Sequence, residues 1–195
     1  MHPVEGIGRL HSIHVVPVGS LAHTEGERLT ALLSLHVAVP CSFNAASLDN
    51  ELRLLPGREQ ADADYLLRRL EEHSVARGTA VVGVTETDLG LPILTHVFGG
   101  AREGGHTAVV SLARLRQEFY GLPASPQTTK RRAVAEILHE VGHLLGLRHC
   151  SAYDCLMHFS PDVESIDLRG LSFCEPCTAE LPAGFLATAS ARYGR

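Results

Sequence analysis

The chain has 195 residues, of which 45% are hydrophobic and 20% are charged, and its formal net charge is −5. This length fits one domain with a buried core, and the apolar fraction is too high for a disordered chain. No run approaches the roughly 20 apolar residues that span a bilayer, and the acidic balance argues against a nucleic-acid partner. The N-terminus lacks the basic start and apolar stretch of an export signal, so we expect a cytoplasmic protein without a membrane partner.

Strands and helices alternate along the first part of the sequence. Apolar or β-branched runs predict strands or extended pieces at 13–18, 41–43, 51–55, 79–85, 94–101 and 107–112. Leucines at helical spacing predict helices over 25–37 and 62–73, the second with Asp62 or Asp64 at its start. The pattern indicates an α+β fold whose N-terminal half is α/β-like.

The alternation stops after a proline-containing loop. Thr128 or Thr129 can cap a long helix that runs to about Leu145, and residues 146–177 then lack a regular pattern. A terminal helix is predicted over 178–193. The expected organisation is a single domain over 1–195, made of an N-terminal subdomain, 1–146, and a small irregular C-terminal subdomain, 147–195.

The predicted long helix ends in a histidine cluster. His139 and His143 are four residues apart, so they share one face of a helix and can hold one metal ion. Gly146 permits the left-handed conformation that reverses the chain, which would bring back His149 as a third ligand. Three imidazoles with an open fourth position are typical of a catalytic zinc, and Glu140 is near enough to reach a water on it. The alternative, surface histidines on an amphipathic helix, is disfavoured by the full spacing.

Four of the five cysteines form a second cluster. Cys150 and Cys155 precede a Cys-x-x-Cys pair, Cys174 and Cys177, whereas Cys41 lies far upstream and is expected to be a small buried hydrophobe. The cluster predicts a closed, structural zinc site with four thiolate ligands. Two disulfides or reduced apolar cysteines are the alternatives, and the expected cytoplasmic location disfavours disulfides. A metal there would hold a segment with too little apolar content to fold alone.

With both clusters in place, the chain resembles the archaemetzincins, a family of metzincin-clan zinc metalloproteases. The matching pattern is His-Glu-x-x-His-x-x-Gly-x-x-His-Cys over 139–150, then Cys155, Met157 and the Cys-x-x-Cys pair over 174–177. The resemblance implies a metzincin-like fold with a twisted mixed sheet and an active-site helix, and places Met157 in a methionine turn beneath the metal. Some metzincins carry a tyrosine ligand two residues after this methionine, but Phe159 occupies that position here.

The resemblance implies two zinc ions per chain. The implied ligands are His139, His143 and His149 for the catalytic ion, and Cys150, Cys155, Cys174 and Cys177 for the structural ion. Glu140 would act as general base on a zinc-activated water, so the expected activity is hydrolysis of peptide bonds in peptide or protein substrates. An early strand would form the upper rim of the cleft and pair with an extended substrate, and chain order favours 94–101 for this role.

Three other functions stay open. The first is a catalytically weak or inactive metalloprotease-like protein that binds zinc and acts by binding peptides or proteins. The others are a zinc hydrolase with a non-peptide substrate and a zinc-finger-like nucleic-acid module, which the acidic charge disfavours. The oligomeric state is open, with a monomer as the expectation. Weaker candidates for cleft residues are His96, His106, Tyr120, Arg148 and Tyr153.

Overall fold

The computed structural model describes residues 10–44, 52–72, 76–102 and 104–187. Over these ranges the fold is α+β, as predicted, with a larger and a smaller sheet and helices on both faces of the larger one. None of the helices in the described ranges combines the length and hydrophobicity that a bilayer crossing demands.

The strands belong to two sheets. In chain order they are β1 (Ser12–Val18), β2 (Cys41–Phe43), β3 (Ala61–Asp62), β4 (Thr79–Thr85), β5 (Leu89–Leu91), β6 (Leu94–Val97), β7 (Gly99–Ala101) and β8 (Thr107–Ser111). The larger sheet has the order β2-β1-β4-β8-β7, in which β7 is antiparallel and the other strands are parallel. The smaller sheet has the order β3-β5-β6. The strands predicted at 13–18, 79–85 and 107–112 are therefore confirmed.

Strand β4 lies at the centre of the larger sheet. All its residues are buried, as expected for a parallel strand that is covered on both faces. Val81 belongs to the core on one face, together with Leu66 and Leu70. Val82 belongs to the core on the other face, together with Leu138 of the long helix. This packing fixes the long helix across the sheet.

The strand predicted over 94–101 is wrong as a single element. The chain forms β6 up to Val97 and β7 from Gly99, and these two strands belong to different sheets. Phe98 between them is buried in the core, whereas Leu94 at the start of β6 is 45% exposed. The chain turns between the strands to insert this ring, and the sequence pattern missed the turn because Phe98 continues the apolar run.

Two short strands, β3 and β5, carry too few residues to show a periodicity and were not predicted. The extended piece predicted over 51–55 begins outside the described residues. Within them, Leu54 forms an isolated bridge with Ala61.

The helices are α1 (His23–Leu33), α2 (Ala63–Glu71), α3 (Pro126–Leu144), α4 (Val163–Leu168) and α5 (Glu175–Glu180). Both predicted early helices are present, but α1 ends at Leu33 rather than at residue 37. The predicted cap of α2 is confirmed, because the Asp62 side chain accepts hydrogen bonds from the amides of Asp64 and Tyr65. The predicted end of that helix at residue 73 lies outside the described residues.

Helix α3 begins earlier than predicted. Its N-cap is Ser125 rather than Thr128 or Thr129, and the Ser125 side chain accepts a hydrogen bond from the Thr128 amide. Pro126 takes the first helical position. A backbone N–H has no partner within the helix there, so the missing N–H of proline costs no hydrogen bond. The helix then runs to Leu144, close to the predicted end.

The terminal helix predicted over 178–193 is wrong in its position. Helix α5 covers Glu175–Glu180, and the described residues after it, 181–187, are not helical. Leu181 is extended because it precedes Pro182, which disfavours the helical conformation in the residue before it. Residues 188–193 lie outside the described ranges.

We refer to residues 147–187 as the C-terminal segment. It is largely irregular, as predicted, but contains α4, which the sequence pattern did not indicate. Its end returns to the N-terminal half, where Leu186 bridges Val37 and the Phe185 carbonyl accepts a hydrogen bond from the Ala38 amide. The division into two subdomains at residue 146 stays a prediction.

Candidate metal centres and active site

The last turns of α3 carry His139 and His143 on one face. Because residues four apart on a helix lie above one another, the two imidazoles meet, and their Nε2 atoms are 3.1 Å apart. His139 is buried and His143 is half-buried. The helix thus presents one side chain from inside the core and one from its surface.

A reversal of the chain at Gly146 brings His149 to the same point. Gly146 has a φ of 94°, a left-handed conformation that favours glycine, as the sequence predicted. The Leu147 amide donates to the Gly142 carbonyl at 3.0 Å, which closes the helix end. The ring of His149 then lies 5.3 Å from that of His139 and 4.9 Å from that of His143, between centroids.

Two backbone carbonyls orient the helical imidazoles. Nδ1 of His139 lies 2.8 Å from the Leu156 carbonyl oxygen, and Nδ1 of His143 lies 2.9 Å from the Leu147 carbonyl oxygen. A carbonyl oxygen accepts a hydrogen bond but cannot donate one, so a ring bonded to it carries its proton on Nδ1, and Nε2 is the nitrogen that can bind a metal.

The three histidines fit a zinc ion. One ligand atom from each lies within 4.8 Å of the others. A tetrahedral zinc with bonds of about 2.0–2.1 Å places its ligand nitrogens about 3.4 Å apart, close to the separation of the His139 and His143 Nε2 atoms. Burial lowers the pKa of His139, and the nearby Arg169 guanidinium lowers it further. Burial, followed by His143, also lowers the pKa of His149. Neutral imidazole is the form that binds a metal.

Glu140 lies beside this cluster with its carboxyl group buried. The side chain is 4% exposed, and a Cβ at Gly99 would lie 2.9 Å from its Oε1 atom. Strand β7 therefore passes directly over the carboxyl group, at a position that has room for glycine alone. Burial raises the pKa of Glu140 well above its ordinary value, and the neighbouring Glu136, which is hydrogen-bonded to it, raises it further.

Met157 packs against the helix that carries the histidines. It is fully buried, and a Cβ at Gly142 would lie 2.5 Å from its Sδ atom. Since Gly142 directly precedes His143, the methionine lies against the backbone of the last turn of α3. Its role in a methionine turn beneath the metal stays a prediction.

The four clustered cysteines converge as well. Cys150, Cys155, Cys174 and Cys177 each offer an Sγ atom within 4.8 Å of the others, and all are free thiols. The Sγ atoms of Cys150 and Cys174 are 3.7 Å apart, far beyond the disulfide bond length of about 2.05 Å. Zinc–sulfur bonds of about 2.3 Å in a tetrahedral site place the sulfurs about 3.8 Å apart. These residues fit a zinc ion.

Burial opposes ionisation of two of these thiols. It raises the pKa of both Cys155 and Cys177. Amides of Met157 and Cys174 point at the Cys155 Sγ atom from 3.4 Å each, which favours a thiolate there. Four thiolates in one cluster, two of them buried, need a compensating cation, so the donor set suits a divalent metal.

The two clusters share one stretch of backbone. Cys150 directly follows His149, and its amide donates to the Met157 carbonyl at 2.8 Å. The Cys150 carbonyl in turn lies 3.0 Å from Nδ1 of His158. These contacts fix the backbone beside His149. A metal that ordered the cysteines would therefore also restrict the position of His149.

The histidine cluster lies in an open cleft of 860 Å³. The cleft is lined by 94–101, by residues of α3 and by the C-terminal segment; the lining residues from α3 and that segment include Glu136, His139, Glu140, His143, Arg148, His149, Phe159 and Arg169. The four clustered cysteines are not among the residues that line this cleft.

Only some of the weaker candidates for cleft residues line the cleft in the structure. His96 and Arg148 line the cleft, as does Phe159. Tyr120 instead donates its hydroxyl hydrogen to the Arg114 carbonyl, and Tyr153 is exposed against the ring of His158. Neither tyrosine is among the cleft residues, nor is His106.

Sequence reasoning missed two charged residues of the cleft, Glu136 and Arg169. Both are buried, and they form an ion pair. Glu136 lies one turn before Glu140, so its place on the helix could have been noticed. Arg169 lies in an irregular loop and has no local signal.

Comparison with known proteins identifies the family of the chain. The sequence profile of peptidase family M54 matches residues 58–183. The archaemetzincin of Methanocaldococcus jannaschii is 46% identical over 101 residues, 52% of this chain and 56% of that protein. The archaemetzincin of Thermococcus kodakarensis is 40% identical over 127 residues, 65% of this chain and 68% of that protein. The chain thus aligns with between one half and about two thirds of the length of these relatives.

Solved structures extend the similarity to most of the chain. A zinc-dependent peptidase from Methanocorpusculum labreanum superposes with a TM-score of 0.74 and 28% identity, over 87% of this chain and 100% of that one. Archaemetzincin from Archaeoglobus fulgidus superposes with a TM-score of 0.71 and 30% identity, over 87% of this chain and 99% of that one. Since the family profile covers more than half of the sequence, this chain belongs to peptidase family M54, the family of the archaemetzincins that it resembles.

Proposed function

We propose that this protein is a zinc-dependent peptidase that hydrolyses peptide bonds, with Glu140 as its general base. The observation that carries the proposal is the meeting of three imidazoles and one buried carboxyl group on the floor of an open cleft. The family to which the chain belongs supports the same chemistry. The substrate is a peptide or protein, and the proposed site requires no nucleic-acid or membrane partner.

His139, His143 and His149 would hold the catalytic zinc through Nε2 atoms of the first two and one nitrogen of the third. A zinc ion in such a site polarises a carbonyl group and lowers the pKa of a bound water to about 7. The Leu156 and Leu147 carbonyls keep the two helical imidazoles in the tautomer that this requires.

Glu140 would move the proton. Its carboxylate takes a proton from the attacking water and later passes it to the leaving amine. Its pKa is raised by burial and by Glu136, and a raised pKa suits a base that must both accept and return a proton near neutral pH.

Strand β7 would align the substrate. It forms one edge of the larger sheet, so its outer side can pair with an extended chain. Gly99 and Gly100 bear no side chains, which lets a peptide backbone approach. Because Gly99 also lies over Glu140, a peptide paired there is held beside the general base.

Cys150, Cys155, Cys174 and Cys177 would hold a second, structural zinc. Four protein ligands complete a tetrahedral site and leave no position for substrate. This ion would stabilise the C-terminal segment and, through the Cys150 backbone, the position of His149. We therefore propose two zinc ions per chain, one catalytic and one structural.

The test is cleavage of a peptide library by the zinc-loaded protein, read by mass spectrometry, with Glu140→Ala as the matched variant. We expect the variant to keep its zinc content and to lose turnover by about 10²-fold or more, as is typical when a general base is removed. Wild-type turnover in Glu140→Ala contradicts the role of Glu140. Bound zinc without any cleavage by the wild type would favour a metalloprotease-like protein that acts by binding.

A further inference from the structure

Most of the formal charges in the cleft are buried. Of the described residues that line it, four carry an acidic or a basic side chain: Glu136, Glu140, Arg148 and Arg169. Glu136, Glu140 and Arg169 are each at most 5% exposed, and Arg169 is paired with Glu136. Arg148 is exposed. Apart from the histidines, it is therefore the one charged side chain among these lining residues that is open to a ligand.

The guanidinium group of Arg148 forms no hydrogen bond or ion pair within the part of the chain that the structure describes. Arg114 and Arg116, by contrast, bind carboxylates of Asp88 and Glu86 at 2.8 and 2.7 Å. An exposed arginine without a partner is ordinary on a protein surface, where water solvates it. Inside a cleft that admits a ligand, the same group offers five N–H donors and a permanent positive charge.

The backbone around Arg148 is held by hydrogen bonds. The Leu147 amide donates to the Gly142 carbonyl at 3.0 Å, and the Leu147 carbonyl oxygen lies 2.9 Å from Nδ1 of His143. The next residue, His149, is one of the three converging histidines. The arginine side chain thus begins one residue, about 3.8 Å along the backbone, from a proposed zinc ligand. Because an extended peptide advances about 3.3 Å per residue, the guanidinium group can reach only substrate residues close to the bond at the metal.

An exposed aromatic ring lies beside His149 in the same cleft. Phe159 is 57% exposed, and its ring centroid is 5.1 Å from that of His149. An ion pair in open water contributes little to binding, but apolar surroundings reduce solvent screening and strengthen it. A substrate that covers Phe159 excludes water around His149. An ion pair that Arg148 forms with this substrate would then contribute more than one on an open surface.

We propose that Arg148 is a specificity-determining residue that binds a carboxylate group of the substrate, either an acidic side chain or the carboxyl end of the peptide. This inference rests on the proposed peptidase function. The planar guanidinium group matches the two oxygens of a carboxylate and can donate to both. The whole chain has a net charge of −5, which repels acidic peptides. A preference for acidic peptides would therefore come from a local cation.

The experiment compares the cleavage of matched peptides by the zinc-loaded full chain. The library places Asp or Asn at one position at a time, and each peptide is made as the free acid and as the C-terminal amide. The variants are Arg148→Gln, which removes the charge, and Arg148→Lys, which keeps the charge but loses the planar fork. Arg77→Gln is the control, because it removes the same charge from an exposed arginine that does not line the cleft. The readout is kcat/KM for each acidic peptide divided by kcat/KM for its neutral match.

For the wild type we expect a preference of about tenfold or more for the acidic peptide, at a position within about three residues of the cleaved bond. Arg148→Gln should abolish this preference, Arg148→Lys should retain part of it, and Arg77→Gln should retain all of it. A preference that follows the Asp and Asn pair identifies an acidic side chain as the bound group. One that follows the free acid and amide pair identifies the carboxyl end of the substrate.

The absence of any such preference in the wild type overturns the proposal, as does an unchanged preference in Arg148→Gln or an equal loss in Arg77→Gln. Loss of bound zinc from both Arg148 variants would assign this residue to the support of the metal site and also overturn it. If the wild type cleaves nothing, the proposed function fails separately. Isothermal titration calorimetry of the same Asp and Asn peptides with the wild type and Arg148→Gln then decides whether Arg148 binds a carboxylate.

Discussion

The sheet-containing half and the C-terminal segment share one apolar core but differ in the other interactions that hold them. Strand β4 is buried along its whole length, between cores that contain Leu70 on one face and Leu138 on the other. The C-terminal segment has little regular structure; it buries Leu156 and Phe173 in the same core as Leu138 and adds the cysteine cluster and the ion pair of Arg169. Apolar burial accounts for the first region, whereas the second depends in addition on a few polar and metal-binding groups.

This difference explains why the active site lies where the two regions meet. His139 and Glu140 come from a helix that the sheet holds in place, so their positions follow from apolar packing. His149 and Arg169 come from the segment, so their positions depend on polar contacts over longer separations in the chain. The two regions should therefore respond differently when each kind of interaction is removed.

The largest effect should follow the loss of a cysteine. Cys155→Ser removes a buried ligand of the proposed structural zinc, and such a metal contributes about 10–16 kcal/mol to the folding of small zinc domains at neutral pH. We expect rapid hydrogen exchange through 150–187, with β4 still protected, as measured by mass spectrometry. Cys41→Ser, at the unclustered cysteine in β2, is the control and should exchange like the wild type. Unchanged protection of 150–187 in Cys155→Ser would show that apolar packing alone holds the segment.

A smaller effect is expected from a cavity in the sheet-containing half. Leu70 of α2 is fully buried, and its side chain packs over Gly83 of β4. Leu70→Ala should lower the free energy of unfolding by about 2–5 kcal/mol, measured by urea denaturation. The folded variant should retain its full zinc content, because the cavity lies on the face of the sheet opposite α3. Loss of zinc from folded Leu70→Ala would mean that the two regions are not independent.

The smallest effect expected is on the pH dependence of stability, at the contact between the end of the C-terminal segment and the residues that follow α1. The His36 carbonyl accepts a hydrogen bond from the Ala187 amide, and burial lowers the pKa of His36 below 6.5. The unfolded chain then binds a proton more readily than the folded one, so this residue makes stability fall as pH decreases below about 6.5. His36→Gln should reduce the difference between urea midpoints at pH 7 and pH 5.5. An equal or larger difference in the variant would exclude this contribution.

Local sequence patterns predicted the site better than the connections around it. His139 and His143 are a single helical turn apart, and Gly146 is the residue type that a reversal requires, so short-range rules sufficed. The Glu136–Arg169 pair spans 33 positions and no periodicity links its members. In the fold, β4 was predictable because a fully buried parallel strand is a continuous apolar run. The break at Phe98 depends on tertiary packing, which a local pattern does not show. The end of α5 depends on Pro182, which disfavours the helical conformation at Leu181.

We propose that the chain holds two zinc ions in sites of different kind, one open and one closed. Anomalous diffraction at the zinc edge, before and after soaking crystals in a mild chelator, tests it most directly. We predict two peaks per chain, one among the nitrogens of His139, His143 and His149 and one among the four sulfurs, with loss of the first alone after chelation. A single peak, or loss of the sulfur peak before the nitrogen peak, would contradict the account.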